Sequence, residues 1–451
     1  MEFVISKEFI AQIKGYIERQ DTVLLQGTLQ EIHFADIAEI IEELNLEEAT
    51  YLIKLLDSER TSEALMELEE DVRNRILENL SAKEIAGELE EMDTDDAADI
   101  ISELPEDRVE TVIAQIEDST HAENIVELLT YDENSAGGLM AKELVKVKET
   151  WTVAGCVREM RQQAENVTRV HSIYVVDAQG KLRGRLSLKD LLTAPAKAHI
   201  SDVYIAKVDY VNVDTEGEDV ARIMTKYDLE AIPVVDHNGV LVGRITIDDI
   251  VDFIREEAEK DYQMAAGISQ DVEADDNVWQ LTRARLPWLI LGLFGGLGSV
   301  FIMEGFEEVM MNPEYRSLFF YTPLIAAMAG NVGVQSSAII VQGLANNAVK
   351  GSLLNRLLKE IGLSLINGTA LAVLIILFGL VMQYEIDFSL TIAIALMSVI
   401  IVAALIGTFV PLILDKRGID PAIATGPFIT TSNDIFGIFL FFYIAKLILG
   451  F

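Results

Sequence analysis

Asp420-Pro-Ala-Ile-Ala-Thr-Gly-Pro-Phe-Ile-Thr-Thr-Ser-Asn-Asp434 opens an apolar run that continues to Leu449, and the stretch ends in a carboxylate. Counted from Pro421, Asp434 falls near the middle of a membrane-length segment. An unpaired charge there costs about 3 kcal/mol on insertion scales, so such a residue faces a cavity, water or a partner. Gly426-Pro427 is expected to interrupt the helix and to free backbone carbonyls that lipid cannot satisfy. A carboxylate beside loose carbonyls is an oxygen-rich cation site; an Asp acting only as glue between helices is the alternative.

Working outward, four more segments have little interior charge. Together with the first they cover residues 286–303, 317–349, 361–384, 388–414 and 421–449. Each is long enough to cross about 30 Å at about 1.5 Å per residue, and Asp434 is expected to be the sole mid-membrane charge. Arg283, Arg285, Lys350, Arg356, Lys359, Lys416 and Arg417 cluster on one side of these segments. The other side carries Arg316 and Lys446 among Glu304, Glu307, Glu308, Glu314, Glu385 and Asp387. By the positive-inside rule the first side is cytosolic, which places the N-terminal half inside the cell and the C-terminus outside, in a plasma membrane. Gly292-Leu-Phe-Gly-Gly296 suits close helix packing. In the second segment Asn331 and Gln335 are four apart, on one helical face, beside Gly330 and Gly333. They serve either as interhelical glue or as the lining of a polar passage; a passage accords with the wet neighbour that Asp434 needs.

The charge is unevenly divided. From Ala284 onward there are 8 Lys+Arg and 10 Asp+Glu, which leaves 27 and 63 before it. A soluble part this acidic repels nucleic acid and anionic headgroups and attracts cations. Cys156 is the only cysteine, so no intramolecular disulfide forms. Charges at Glu2 and Lys7 break any apolar core at the N-terminus, which therefore does not read as a cleavable signal peptide.

Residues 1–131 read as a string of short amphipathic helices. Ile37, Ile40, Ile41 and Leu44 share a face, as do Ile100, Ile101 and Leu104. Asp36–Leu44 and Asp96–Leu104 agree at six of nine positions, a repeat of the kind that stacks into a helical solenoid. Ser81-Ala-Lys-Glu84 reads as a capping box and Pro105 as a stop. Asp93, Asp95, Asp96 and Asp99 crowd one helix start. Favourable interaction with the helix dipole and ligation of a hard cation both account for them.

A second repeat follows Gly137-Gly138. Residues 173–192 and 232–251 are identical at nine of twenty positions, and each reads as strand, turn, strand, helix, with Gly180 and Gly239 at the turns. The pair resembles tandem CBS domains, at residues 132–200 and 201–254. Gly184-Arg-Leu-Ser187-Leu-Lys-Asp190 and Gly243-Arg-Ile-Thr246-Ile-Asp-Asp249 are similar to that family's ribose-binding pattern, which implies ATP as a regulatory ligand. Helix capping by Asp190 and Asp249 explains the same residues. A charged helix continues past Val251 as a connector, residues 255–283. The five histidines show no ligand spacing, and no catalytic constellation appears.

Pro323-Leu-Ile-Ala-Ala-Met-Ala-Gly-Asn-Val-Gly-Val-Gln-Ser-Ser337, with Asp420-Pro-Ala and Gly426-Pro-Phe-Ile-Thr-Thr-Ser-Asn-Asp434, resembles the signatures of the MgtE magnesium channel and transporter family. The resemblance covers almost the whole chain and implies a multi-domain architecture. An all-α solenoid N domain is followed by an α/β CBS pair, a connecting "plug" helix, and a five-helix transmembrane domain at residues 284–451. It further implies a homodimer in the bilayer whose pore lies at the subunit interface, with Asp434 binding Mg²⁺ and Asn331, Gln335, Gly426, Thr430 and Thr431 lining the path. It also implies closure by intracellular Mg²⁺ held among Asp93, Asp95, Asp96, Glu216, Glu218, Asp228, Asp249, Asp252, Glu257 and Asp261. Lys260 stands where the family pattern usually keeps an acid. Mg²⁺ keeps its waters, which suits a site of few carboxylates and several neutral oxygens; Mn²⁺, Co²⁺ and Ca²⁺ stay open on these residues alone. A cation-coupled exchanger is the alternative transport reading, although the second and fifth segments show no inverted repeat.

Overall fold

The computed structural model describes residues 5–163, 170–269, 272, 276–346, 348–349 and 351–450. It contains two compact units, residues 1–255 and 256–451.

The first unit begins with ten helices among the described residues, from Lys7–Glu18 to Ser119–Leu128. Each has only two or three turns, too few to persist alone, so tertiary burial holds them. Packing skips one helix at a time. Phe34–Glu42 lies on Ser58–Glu67, Ser58–Glu67 on Ala82–Leu89, and Ala82–Leu89 on Glu106–Ile113. Ile37, Ile40 and Ile41 are buried, as are Ile100, Ile101 and Leu104, so the two copies of the repeat turn the same positions inward. The capping box forms: the Ser81 hydroxyl accepts from Glu84 N at 3.2 Å, and the Glu84 carboxylate accepts from Ser81 N at 2.7 Å. Pro105 ends one helix and begins Glu106–Ile113. Two arginines tie the layers together. Arg60 donates to the carbonyls of Leu29 and Gln30, and Arg108 to those of Leu77 and Leu80, so carbonyls near helix ends gain a donor from about thirty residues away.

Each CBS repeat forms a three-stranded sheet, β1(Val145–Lys148), β2(Ile173–Val176) and β3(Leu182–Leu186), then β4(Val211–Asn212), β5(Ala231–Val235) and β6(Leu241–Thr246). In both, the first strand is parallel to the second and the second antiparallel to the third. The irregularity at Val175/Val176 recurs at Val234/Val235. The turn glycines have φ of +81° and +79°, a conformation that favours glycine. They also join the repeats: Leu182 N donates to Gly239 O at 3.0 Å, and Leu241 N to Gly180 O at 3.1 Å, a reciprocal pair. Lead-in segments are exchanged. Ala141, ahead of β1, bridges to Arg244 on β6, whereas Ile205, ahead of β4, bridges to Arg185 on β3. The first repeat has its own core around Val147, Ile173 and Leu186. The second shares one continuous apolar cluster with the N-terminal helices, which includes Ile100, Ile101, Ile232, Val234 and Ile245.

The helix Ile247–Ala266 carries the chain into the second unit. There, five helices among the described residues are long and apolar enough to cross a membrane: Val278–Glu304, Arg316–Ala345, Leu353–Val381, Ile386–Lys416 and Gly426–Leu449. Ile386–Lys416 is the central one and packs on the second, third and fifth spans. Two sequence expectations are corrected here. Gly426-Pro427 does not interrupt the last span but starts it, after a short 3₁₀ turn at Pro421–Ala424, because proline fits the first turn of a helix where its missing N–H costs nothing. The third span begins at Leu353 and so takes Arg356, Lys359 and Glu360 into its helix.

Candidate cation sites

In the membrane unit, glycines on the second span seat the polar face of the fifth. A Cβ at Gly330 would lie 3.1 Å from Thr430 Cγ2 and 3.7 Å from Asp434 Oδ1, and one at Gly333 would run into the Asn433 amide. The two helices thus approach at backbone distance where Asp434 sits. Asp434 is half-buried, and on the same second span Asn331 and Gln335 are exposed. An amide-bearing face left uncovered on a membrane helix needs water or another protein surface against it. The Thr430 hydroxyl donates to the Gly426 carbonyl one turn back, at 2.8 Å, so it is held against its own helix. Thr431 faces Gly295 of the first span, so of the Gly292–Gly296 motif it is Gly295 that makes the close contact, while Gly292 and Gly296 border open space.

Two further groups in the spans escaped the sequence reading. Glu360 accepts a 2.6 Å hydrogen bond from buried Ser336, the neighbour of Gln335, so Asp434 is not the only carboxylate inside a span. Asn433 is 1% exposed, and neither of its amide atoms meets a partner among the described residues.

The start of the last span also meets the end of the helix Ile247–Ala266. Gly426 has φ +45° and lies against the Ala265 carbonyl, and Gly267 at φ +80° lies against the Pro427 ring; a side chain at either glycine would overlap these atoms.

In the first unit, the crowded helix start Thr94–Glu103 faces the second CBS repeat. Asp93 makes no capping bond; Asp95 Oδ1 accepts from Asp96 N at 3.1 Å, and Glu143 reaches the helix start as well, accepting from Thr94 N at 3.1 Å and from Thr94 Oγ1 at 2.9 Å. One oxygen each from Asp93, Asp95 and Glu143 lie within 4.8 Å of one another. Opposite oxygens of an octahedral Mg²⁺ are about 4.2 Å apart, so the three would need only a small closure to share an ion and its waters. Burial, then the charges of Asp96, Asp249, Asp93 and Glu143, hold the Asp95 carboxyl well above the usual range. Burial, then Asp249, Asp93, Asp99 and Asp248, push Asp96 up to about 8. Asp93 and Asp249 are raised as well, by burial first. Arg244 brings a guanidinium to this seam, which donates to Asp93 Oδ2 at 3.0 Å and to the Glu143 carbonyl.

Glu143 and Arg244 carry no local sign of this role: one follows an unremarkable lysine, and the other repeats Arg185. The remaining regulatory candidates lie elsewhere. Glu216 and Glu218 are exposed at the start of the helix Gly217–Tyr227, and Asp228 ends it in a left-handed conformation at φ +51°. Asp252 is exposed on the helix Ile247–Ala266. In the second unit Asp261 is exposed, and Glu257 accepts from Lys260 Nζ at 3.1 Å, so this lysine pairs with an acid one turn away. The ribose-pattern residues cap their helices: Ser187 Oγ donates to Asp190 Oδ2 and Thr246 Oγ1 to Asp249 Oδ2, each at 2.6 Å.

The sequence pattern described as the divalent cation transporter family MgtE matches residues 322–444, that of the MgtE intracellular N domain residues 32–134, and that of the CBS domain residues 136–197 and 200–256. The chain is 31% identical to the magnesium transporter MgtE of Thermus thermophilus across 99% of both chains. It is 34% identical to that of Bacillus subtilis over 73% of this chain and 72% of the relative. With that of Enterococcus faecalis the identity is 35%, over the same shares. Among solved structures it is similar to the cytosolic domain of the Mg²⁺ channel MgtE in complex with ATP, at 34% identity and TM-score 0.52, over 54% of this chain and 99% of that one. The soluble part of a magnesium transporter gives 28% identity and TM-score 0.51, over 56% and 99%.

Proposed function

Since the chain belongs to the MgtE family of magnesium transporters, which are not enzymes, we propose that it admits Mg²⁺ to the cell along the polar face of its second and fifth spans and closes when cytosolic Mg²⁺ fills its acidic domains. The observation that carries the pathway is Asp434 seated at Gly330, on a surface continued by exposed Asn331 and Gln335. A second copy of the chain covers that surface and brings a second Asp434 to the path. One or two carboxylates with amide and hydroxyl oxygens bind an ion that retains its water better than a closed cage would. The acidic half lies in the cytosol and the C-terminus outside, as the lysines and arginines between spans indicate.

Closure has a mechanical element to act on. The helix Ile247–Ala266 bears Asp249 near its beginning and Ala265, which touches Gly426, at its end. Moving a two-state gate from 1:99 to 99:1 takes about 5.5 kcal/mol of preferential binding. One site with a dissociation constant of about 1 mM, at about 10 mM free ion, supplies about 1.4 kcal/mol. About four such sites are needed, and the acids from Asp93 to Asp261, doubled in a dimer, provide them. ATP binding at Ser187, Asp190, Thr246 and Asp249 is a further part of the proposal, supported by the ATP complex of the similar cytosolic domain. The test is Mg²⁺ flux into liposomes containing the purified chain, with and without a Na⁺ or pH gradient. Passive flux that falls as Mg²⁺ rises on the domain side is expected. Flux only with a gradient would make the protein an exchanger.

A further inference from the structure

We propose that Glu360 is a positioning residue for the ion path: its bond to Ser336 fixes the rotation of the second span about its own axis, and so holds Asn331 and Gln335 on the face along which Mg²⁺ passes. The inference rests on the pathway proposed above and adds the element that keeps it aligned.

The third span singles the residue out. Along Leu353–Val381, Arg356 and Glu360 are half-buried and Ser364 and Gly368 buried, at four-residue spacing on one face, whereas Lys359, Leu363, Leu365 and Ile366 are exposed. Glu360 lies about 10 Å along the helix from its start. A carboxylate inside a span is costly unless a donor meets it. The Ser336 hydroxyl does so at 2.6 Å, from a serine only 6% exposed. An O–H donated to a carboxylate is short, strong and directional.

The rest of the second span gives its inner half little that is directional. Its outer end is held by rings, with Tyr321 edge-on to Phe388 at 5.9 Å. Further in, it packs through small residues. A Cβ at Gly407 of the fourth span would overlap the Gly333 carbonyl and lie 3.1 Å from Ser336 Cβ. Such contacts bring backbones close but offer few side chains to interlock, so they oppose separation better than turning. Successive residues of a helix stand about 100° apart. With Ser336 held inward, Gln335 stays on the exposed face, and Asn331, four residues earlier, lies beside it. A turn by one residue would bring apolar, half-buried Val334 to the place of Gln335.

The experiment uses single cysteines in the full chain in liposomes, labelled with a water-soluble thiol reagent; the native Cys156 is buried. Asn331→Cys and Gln335→Cys should label readily and Val334→Cys slowly. Adding Glu360→Ala or Ser336→Ala should slow Gln335→Cys by about fivefold or more and speed Val334→Cys, because the helix turns. The two changes together should do no more than either alone, since all three chains lack the same bond. Glu360→Gln, which keeps an acceptor for Ser336, should retain wild-type labelling and Mg²⁺ flux. If Glu360→Ala does not fold, Ser336→Ala, which removes a single oxygen, carries the comparison. Unreactive cysteines at both 331 and 335 in the otherwise wild-type chain would overturn the pathway and this inference with it. Reactive cysteines whose rates ignore the loss of the bond would overturn the inference alone. So would Glu360→Gln with normal labelling and no flux, which would put the charge itself, not the bond, to use on the ion.

Discussion

Mg²⁺ binding to the seam is expected to release protons, and Asp96 supplies one part of that release. Burial first, then the neighbouring carboxylates, raise this group from 3.8 to about 8. The sign is that of an acid held neutral by the fold: its contribution to stability is complete below 3.8 and is lost as pH rises through about 8. A metal ion needs the ionised form, so metal affinity increases over the same window in which the metal-free seam weakens. At pH 7 a group of this kind is about 90% protonated, and binding an ion there expels about 0.9 proton. Apparent affinity should rise about fivefold from pH 7 to 8, and only about twofold from 8 to 9. Asp95, raised by the same causes, adds to the release.

Calorimetric titration of the full chain with Mg²⁺, repeated in buffers of different ionisation enthalpy, reads the proton count directly. Asp96→Asn should release about 0.9 proton fewer than wild type at pH 7. An unchanged count in that variant, or a binding midpoint that stays fixed between pH 7 and 8, would refute the reasoning.

Asp434→Ala should lower Mg²⁺ flux into liposomes by about a hundredfold or more while the protein elutes as wild type, since few mid-membrane groups can replace a carboxylate; wild-type flux would remove Asp434 from the path. Neutralising Asp252 and Glu257 together should raise the inhibitory Mg²⁺ concentration and flatten the inhibition curve, and a superimposable curve would reduce these acids to a solubility role. Gly426→Val places a side chain on the Ala265 carbonyl at φ +45° and should leave flux running at Mg²⁺ levels that silence wild type; normal closure would show that this contact is not part of the gate. Titration of the full chain with ATP should give heat that Asp190→Ala diminishes, and no heat at millimolar ATP would leave capping as the whole role of the Ser187-to-Asp190 pair.

Much of the fold was legible because it is written locally. The solenoid helices announce themselves by caps and by the spacing of Ile37, Ile40 and Ile41, and the CBS sheets by Gly180 and Gly239, whose positive φ few other residues accept. Span ends were less legible. Hydropathy marks where apolar residues stop, whereas a helix continues as long as its hydrogen bonds do, and so Leu353–Val381 begins well before its apolar run and includes Glu360. Gly426-Pro427 was misplaced for a related reason: proline breaks a helix from the inside but starts one from the outside, and only the conformation of Thr425 decides which applies here.

The seam shows a different limit. Asp93, Asp95 and Asp96 drew notice as a cluster on one helix, but a helix start stabilises acids by its dipole, so the cluster alone does not point to an ion. What changes its meaning is the ground opposite, and that ground comes from Glu143, Asp249 and Arg244, distant in sequence. Arg244 makes the point most sharply, because its repeat partner Arg185 follows a glycine and precedes an aliphatic residue and a hydroxyl residue in the same way, yet has a solvent-exposed side chain. No pattern confined to the repeat can tell them apart. The difference arises only because the N-terminal helices pack on the second repeat and not equally on the first, as the shared apolar cluster shows. A duplicated module thus acquires two chemistries from one motif: in one copy the arginine meets solvent, and in the other it meets Asp93 and the Glu143 carbonyl.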